Sequence, residues 1–163
     1  PAVGLLLAIP LYDAAYFLPT EQLGLARILW CIGAISHYAY LGSQYTIGQG
    51  VVSTRARASA IAIMLVLIAL IGNGIGPLIV GWMSDMFMTM QIADHGMAGA
   101  LTSAACRAKD LSAFTPAQQE VCKIAYGEGL RWSMAMTSLI FIPSAAFFLL
   151  SALTLRKDFV ATH

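Results

Sequence analysis

Hydrophobic residues fill four long stretches of the chain almost without interruption, at positions 1–19, 28–52, 58–84 and 132–155. These stretches contain a single charged residue, Asp13. A helix rises about 1.5 Å per residue, so about 20 apolar residues cross the hydrocarbon layer of a bilayer. Because the runs are continuous rather than alternating, they favour helices over the strands of a membrane barrel. The pattern therefore predicts an all-α membrane protein with four transmembrane helices.

The overall composition agrees with a protein that lies in the lipid bilayer. Hydrophobic residues make up 59% of the 163 residues and charged residues only 10%, whereas soluble domains are usually about one quarter charged. The formal net charge of +1 provides no basic surface for a phosphate backbone, so nucleic acid is not an expected partner. The chain opens with Pro and enters a hydrophobic stretch at once, which indicates a fragment of a longer protein rather than a signal peptide.

The cationic residues close to the spans indicate the orientation of the chain. Arg55 and Arg57 lie between the second and third spans, and Arg156 and Lys157 follow the fourth. The cations of the opposite side are mostly spread through the long connection 85–131. Because cytoplasmic loops carry an excess of Lys and Arg next to the spans, we expect the Arg55 loop and the C-terminus to be cytoplasmic.

The connection 85–131 contains two cysteines, Cys106 and Cys122. Two thiols in one loop outside the cytoplasm are candidates for a disulfide, and two unpaired thiols are the alternative. A metal site is not expected, because His95 is the only nearby His and no second cysteine pair exists. The sequence TPAQ at 115–118 resembles a capping box with Pro at the first helical position, which predicts a helix from there to Gly127 or Gly129.

Polar and aromatic side chains recur at intervals of three or four along the second span and so share one helical face. The residues of this polar face are Arg27, Trp30, Ala34, His37, Tyr40 or Leu41, and Gln44. Polar groups inside a membrane cost free energy, so the face indicates a wall turned towards water or a ligand, with hydrogen bonding between helices as the alternative. His37, Tyr40 and Gln44 are therefore substrate-cavity candidates. Asp13 in the first span is expected to reach the interface or to pair with a neighbouring helix, and it is a proton carrier only if it is deep and unpaired.

Glycines cluster around Pro77 in the third span. They are Gly72, Gly74, Gly76 and Gly81. Pro77 removes one helical hydrogen bond and its ring clashes with the carbonyl of Asn73, so we expect a kink. Gly72 and Gly76 form a GxxxG step that lets another helix approach, and simple helix packing is the alternative to a bending helix. Asn73 is a further cavity candidate, because its side chain is placed to contact freed backbone groups or a ligand.

Residues 53–85 resemble the region of the tenth and eleventh helices of the major facilitator superfamily, and in particular its bacterial spinster-like members. The likeness rests on the loop with Arg55 and Arg57 and on the glycine run that ends in Ser84-Asp85. Residues 128–158 resemble the last helix and basic tail of that family, and residues 1–19 resemble its ninth helix. The sequence LGSQY at 41–45 departs from the family, which often has Gly-Pro where this chain has Ser43.

The resemblance implies helices nine to twelve of a twelve-helix transporter that works by alternating access. The helices starting at Ile28 and Ala58 would line the central cavity, and the first and last would be peripheral. It further implies a bacterial inner-membrane protein, partnered by its own preceding helices, with an unknown solute as substrate, no cofactor and no enzymatic activity. A small four-helix scaffold or assembly protein is the alternative.

Overall fold

The computed structural model describes residues 1–108 and 110–158, with side chains up to residue 155. In these residues the secondary structure is helical apart from turns and an isolated bridge between Ala98 and Leu101. The predicted all-α fold class is therefore confirmed. Two compact units are present, one formed by Pro1–Ile75 with the chain from Ser138 onwards, and one formed by Gly76–Thr137.

The first unit holds most of the helices. They are α1 (Ala2–Phe17), α2 (Leu23–Tyr38), α3 (Tyr40–Gly50), α4 (Arg57–Leu67), a π-helical segment (Ile68–Ile75) and α8 (Phe141–Asp158). The second unit contains α5 (Gly76–Asp94), the short α6 (Ser103–Cys106) and α7 (Pro116–Ser138), although Ser138 itself belongs to the first unit. Single turns of 3₁₀-helix cover Thr20–Gln22 and Thr54–Ala56.

Two helical stretches of the described chain are long and apolar enough to cross a membrane, Thr54–Asp94 and Pro116–Leu155. The first predicted span is the shorter apolar helix α1, with 16 residues. The second predicted span, 28–52, is divided where α2 ends and α3 begins. At this break the backbone N–H of Ala39 donates to the carbonyl of His37, so a tight turn replaces the expected continuous helix.

Helix α5 runs ten residues beyond the predicted end of its span, to Asp94, and α7 begins well before the predicted start of the last span. A capping box does start α7: the Thr115 N–H donates to Gln118 Oε1 at 2.9 Å, and the Gln118 N–H donates to Thr115 Oγ1 at 3.4 Å. The expected end of this helix at Gly127 or Gly129 is wrong, because α7 passes through both glycines.

Close helix packing in the first unit depends on two glycines of α1 and α2. A Cβ atom built on Gly4 would lie 2.5 Å from the carbonyl oxygen of Ser36, and one built on Gly33 would lie 3.2 Å from the ring of Tyr12. Helix α1 also packs on α8, where Leu5 and Ala145 are buried together. Helix α1 is therefore held between α2 and α8.

The second unit has a small core of its own, built from apolar residues of α5, α6 and α7 and of the loop before α6. The buried residues are Met88, Ile92, Leu101, Cys106, Val121, Cys122 and Ala125. A disulfide joins Cys106 to Cys122 inside this core. Burial of these side chains explains why α5 continues past the predicted end of its span and why α7 is helical before the predicted start of the last span.

Candidate functional site

The polar face of α2 and α3 is turned towards α1 and α8. The hydroxyl of Tyr12 lies 3.4 Å from Nδ1 of His37, and the rings of Tyr12 and Trp30 are 6.1 Å apart. On its other side, the His37 ring lies 4.5 Å from the ring of Phe141. Trp30 and His37 of this face therefore take part in helix packing, and hydrogen bonding between helices is the alternative that the sequence left open.

The C-terminal part of the same face, from His37 to Gln44, borders a cavity of about 430 Å³. Its lining residues are Leu5, His37, Tyr40, Gln44, Ile140, Phe141, Ser144 and Phe148. Three of the four predicted cavity candidates thus come together. The Gln44 Oε1 atom is buried and has no hydrogen-bond partner among the described residues, and such an atom calls for a donor because an unpaired buried acceptor is costly. The cavity offers apolar walls, one unpaired acceptor and the hydroxyls of Tyr40 and Ser144, a combination suited to a partly apolar ligand.

Asn73 is not part of this cavity, since it lies in the π-helical segment Ile68–Ile75. The π-helical segment ends and α-helical hydrogen bonding resumes at Gly76, directly before Pro77, whose missing N–H disturbs a regular helix. Cβ atoms built on Gly72, Gly76 or Gly81 would meet no atom within 4 Å. The helix that the GxxxG step is expected to receive therefore does not come from the described residues.

Asp13, the single carboxylate of the apolar stretches, is paired within the first unit. Its Oδ1 atom accepts a hydrogen bond of 2.9 Å from the hydroxyl of Ser138. The structure thus shows pairing with a neighbouring helix, one of the two structural outcomes expected for this residue. Of the two basic loop residues, Arg55 is exposed, whereas the Nε atom of Arg57 is buried without a described hydrogen-bond partner.

A polar cluster in the second unit surrounds the disulfide. The Arg107 guanidinium, which follows Cys106 directly, lies 2.9 Å from Asp85 Oδ1 and donates to the carbonyl of Gly81 at 3.4 Å. The short helix α6 is thereby attached to α5 by an ion pair and to α7 by the disulfide. In the described residues no group of three or more His, Cys, Asp or Glu side chains is placed to hold a metal ion.

The comparison with solved structures identifies the family of the chain. The crystal structure of a bacterial homologue of the human lysosomal transporter Spinster, in an inward-facing and occupied conformation, matches the whole chain with 40% identity and a TM-score of 0.86. The chain belongs to the spinster-like branch of the major facilitator superfamily. The inward-facing and unoccupied structure of a bacterial Spinster homologue matches the whole chain with 40% identity and a TM-score of 0.83.

This spinster-like chain spans about a third of the length of the proteins it matches, 35% and 34% respectively. No protein-family model and no curated protein matches it. Together with the two long apolar helices, the match makes the chain part of an integral membrane protein.

Sequence reasoning missed the glycines that matter most for packing in this spinster-like chain. The sequence pattern singles out the cluster around Pro77, whereas the tight contacts are at Gly4, Gly33 and Gly129. A Cβ built on Gly129 would lie 2.9 Å from the Ser84 carbonyl oxygen. The polar partners Ser138 of Asp13 and Arg107 of Asp85 were also missed. An apolar run on each side of Gly4 and Gly33 was the available signal, but it does not distinguish a packed glycine from an exposed one.

Proposed function

We propose that the chain is the part of a secondary transporter that comprises helices nine to twelve, and that the whole protein moves a small or amphiphilic solute by alternating access. The observation that supports this most is the 40% identity over the full chain with a transporter crystallised facing inward. In alternating access, two halves of the protein move around a site near the membrane midplane. Four helices do not form two halves, so transport requires the longer protein.

The proposed topology follows the charge pattern. The loop with Arg55 and Arg57 and the C-terminus face the cytoplasm of a bacterial cell, and the connection 85–131 with its disulfide faces the exoplasmic side. Oxidising surroundings on that side keep the Cys106–Cys122 bond formed. Arg156 and Lys157, the two cations that follow the fourth span, lie outside the described side chains.

The substrate contacts that we propose are His37, Tyr40 and Gln44. They line one cavity with aromatic walls, and their hydrogen-bonding groups suit the polar end of an amphiphile. Asn73, on the π-helical segment of a second cavity-lining helix, is proposed as a separate contact on the exposed face of that helix.

The test is solute uptake into proteoliposomes by the full-length protein and by variants at the cavity. We expect His37→Ala and Gln44→Ala to weaken uptake severalfold while expression is retained, because each removes a hydrogen-bonding group worth about 1 kcal/mol. Gln49→Ala is the matched control, since Gln49 is on the same helix but exposed and away from the cavity. Wild-type affinity and pH profile in both cavity variants would contradict the assignment, and uptake by the 163-residue chain alone would contradict the need for a longer protein.

A further inference from the structure

Two neighbouring cavities in the second unit share the side chains of Arg107 and Tyr126. One has about 360 Å³ and runs along α5 and α7, where Val80, Gly81 and Leu130 line it. The other has about 250 Å³ and lies beside the disulfide, with Lys123 at its wall. One continuous region therefore presents an apolar groove at one end and cationic side chains at the other.

The groove exists because α5 has no side chain at Gly81. A Cβ atom at this position would meet nothing within 4 Å, so the space beside the helix is open. The same two helices touch at Gly129 and Ser84, where a built Cβ would lie 2.9 Å from the backbone oxygen. This close contact between α5 and α7 closes the groove on its inner side and leaves its outer side accessible.

At the other end, the described residues that line the cavities include two cations, Arg107 and Lys123, and no carboxylate. Arg107 is paired with Asp85, but both of its described contacts use Nη2, and a guanidinium has five N–H donors. Lys123 is exposed and adds a second cation. Asp110 lies nearby in sequence, where hydrogen bonds from the Ser112 side chain and backbone lower the pKa of its carboxyl, so it stays anionic; it does not line either cavity.

We propose that these two cavities bind one anionic phospholipid, with its phosphate between Arg107 and Lys123 and an acyl chain along Val80, Gly81 and Leu130. The polarity of α5 supports this occupant, because its uncharged stretch ends at Ser84 and its first charge is Asp85. Phosphates of a bilayer lie at such a boundary, where basic side chains recognise them. The assignment to the exoplasmic leaflet rests on the proposed topology, whereas the site itself does not.

The experiment is native mass spectrometry of the full-length protein with phosphatidylglycerol, phosphatidylcholine and inorganic phosphate. We expect phosphatidylglycerol to be retained in preference to phosphatidylcholine, and Lys123→Gln to weaken its binding about fivefold, as loss of one cation near a phosphate predicts. Gly81→Leu fills the groove and is expected to reduce binding to a similar extent.

Matched controls separate this site from general effects. Arg131→Gln removes a cation from the same helix, and Gly127→Leu adds a side chain where a built Cβ meets nothing within 4 Å; neither residue lines the two cavities. Equal retention of both phospholipids, or unchanged binding in Lys123→Gln, would overturn the proposal. Displacement of the lipid by inorganic phosphate with no effect of Gly81→Leu would indicate a simple anion site and would also overturn it. Solute uptake is measured separately, so failure here leaves the transport proposal intact.

Discussion

At the scale of single residues, Asp13 illustrates how one carboxylate is accommodated within an apolar helix. The hydroxyl of Ser138 donates to it at 2.9 Å, although the two residues are 125 positions apart in the sequence. A carboxylate without a donor would retain its full cost of desolvation. The sequence left two outcomes open for Asp13, reaching the interface or pairing with a neighbouring helix, and it did not identify Ser138, because nothing local relates the two positions.

We expect Asp13→Ala to lower the free energy of unfolding of the full-length protein by about 1–2 kcal/mol, since the Ser138 hydroxyl loses its charged acceptor. Asp13→Asn should cost less, because its carboxamide oxygen still accepts. Thermal unfolding in detergent measures both. The double variant with Ser138→Ala tests the coupling: fully additive effects of the two substitutions would contradict a direct interaction.

At the scale of the helices, some helix ends are determined by neighbouring residues and others by contacts with distant parts of the chain. The capping box at Thr115 and Gln118 is complete within four residues, so the start of α7 was predictable. The passage of α7 through Gly129 was not, because that glycine is required by the backbone of α5 at Ser84. The break after Tyr38 was not predictable either, because no Gly or Pro lies at this position. Extension of α5 to Asp94 depends on a core formed with residues of α7.

Gly129 and Gly127 offer a matched pair of substitutions on α7. Gly129→Ala should destabilise the protein by about 1–3 kcal/mol, since the new methyl group would lie 2.9 Å from the Ser84 oxygen and 3.1 Å from the Met88 nitrogen. The methyl group of Gly127→Ala would meet no atom within 4 Å. This substitution should therefore raise the free energy of unfolding by up to about 1 kcal/mol through helix propensity. Thermal unfolding compares them, and equal effects would show that the close contact is absent.

Pro77 allows a test of the π-helical segment. Pro77→Ala supplies the missing N–H and permits regular α-helical bonding, so amide hydrogen exchange across Ile68–Ile75 should slow severalfold. Pro143→Ala serves as the control, because Pro143 lies in the first turn of α8, outside the π-helical segment. Unchanged exchange in Pro77→Ala would mean that the glycines alone cause the irregularity.

At the scale of the whole molecule, several apolar side chains of the described residues are largely exposed, including Val3 at 79%, Leu78 at 72% and Leu153 at 77%. Lipid is one environment that such surfaces require, and in the longer transporter that we propose the preceding helices are another. Composition was enough to predict the membrane and the helical class. The partner of each polar group depended on packing between helices far apart in the sequence.

The disulfide is expected to hold the second unit together. Cys106→Ser with Cys122→Ser should lower the stability of this region by about 3 kcal/mol, as opening a loop of this size predicts. Limited proteolysis of the full-length protein in membranes, with and without reductant, would measure the loss. Cys31→Ser is the control, since Cys31 is free and exposed. If the proteolytic peptides that contain Cys106 and Cys122 migrate separately on a gel without reductant, the disulfide is contradicted.

The position of this disulfide also has a consequence for biogenesis. Cys106 and Cys122 belong to two helices, α6 and α7, on either side of a connection, and oxidation requires both thiols to reach the same oxidising compartment. Under the proposed topology, a chain whose connection 85–131 stays in the cytoplasm would leave both thiols reduced. The redox state of the pair would therefore report the orientation of this connection, and thiol labelling in intact cells would measure it without a transport assay.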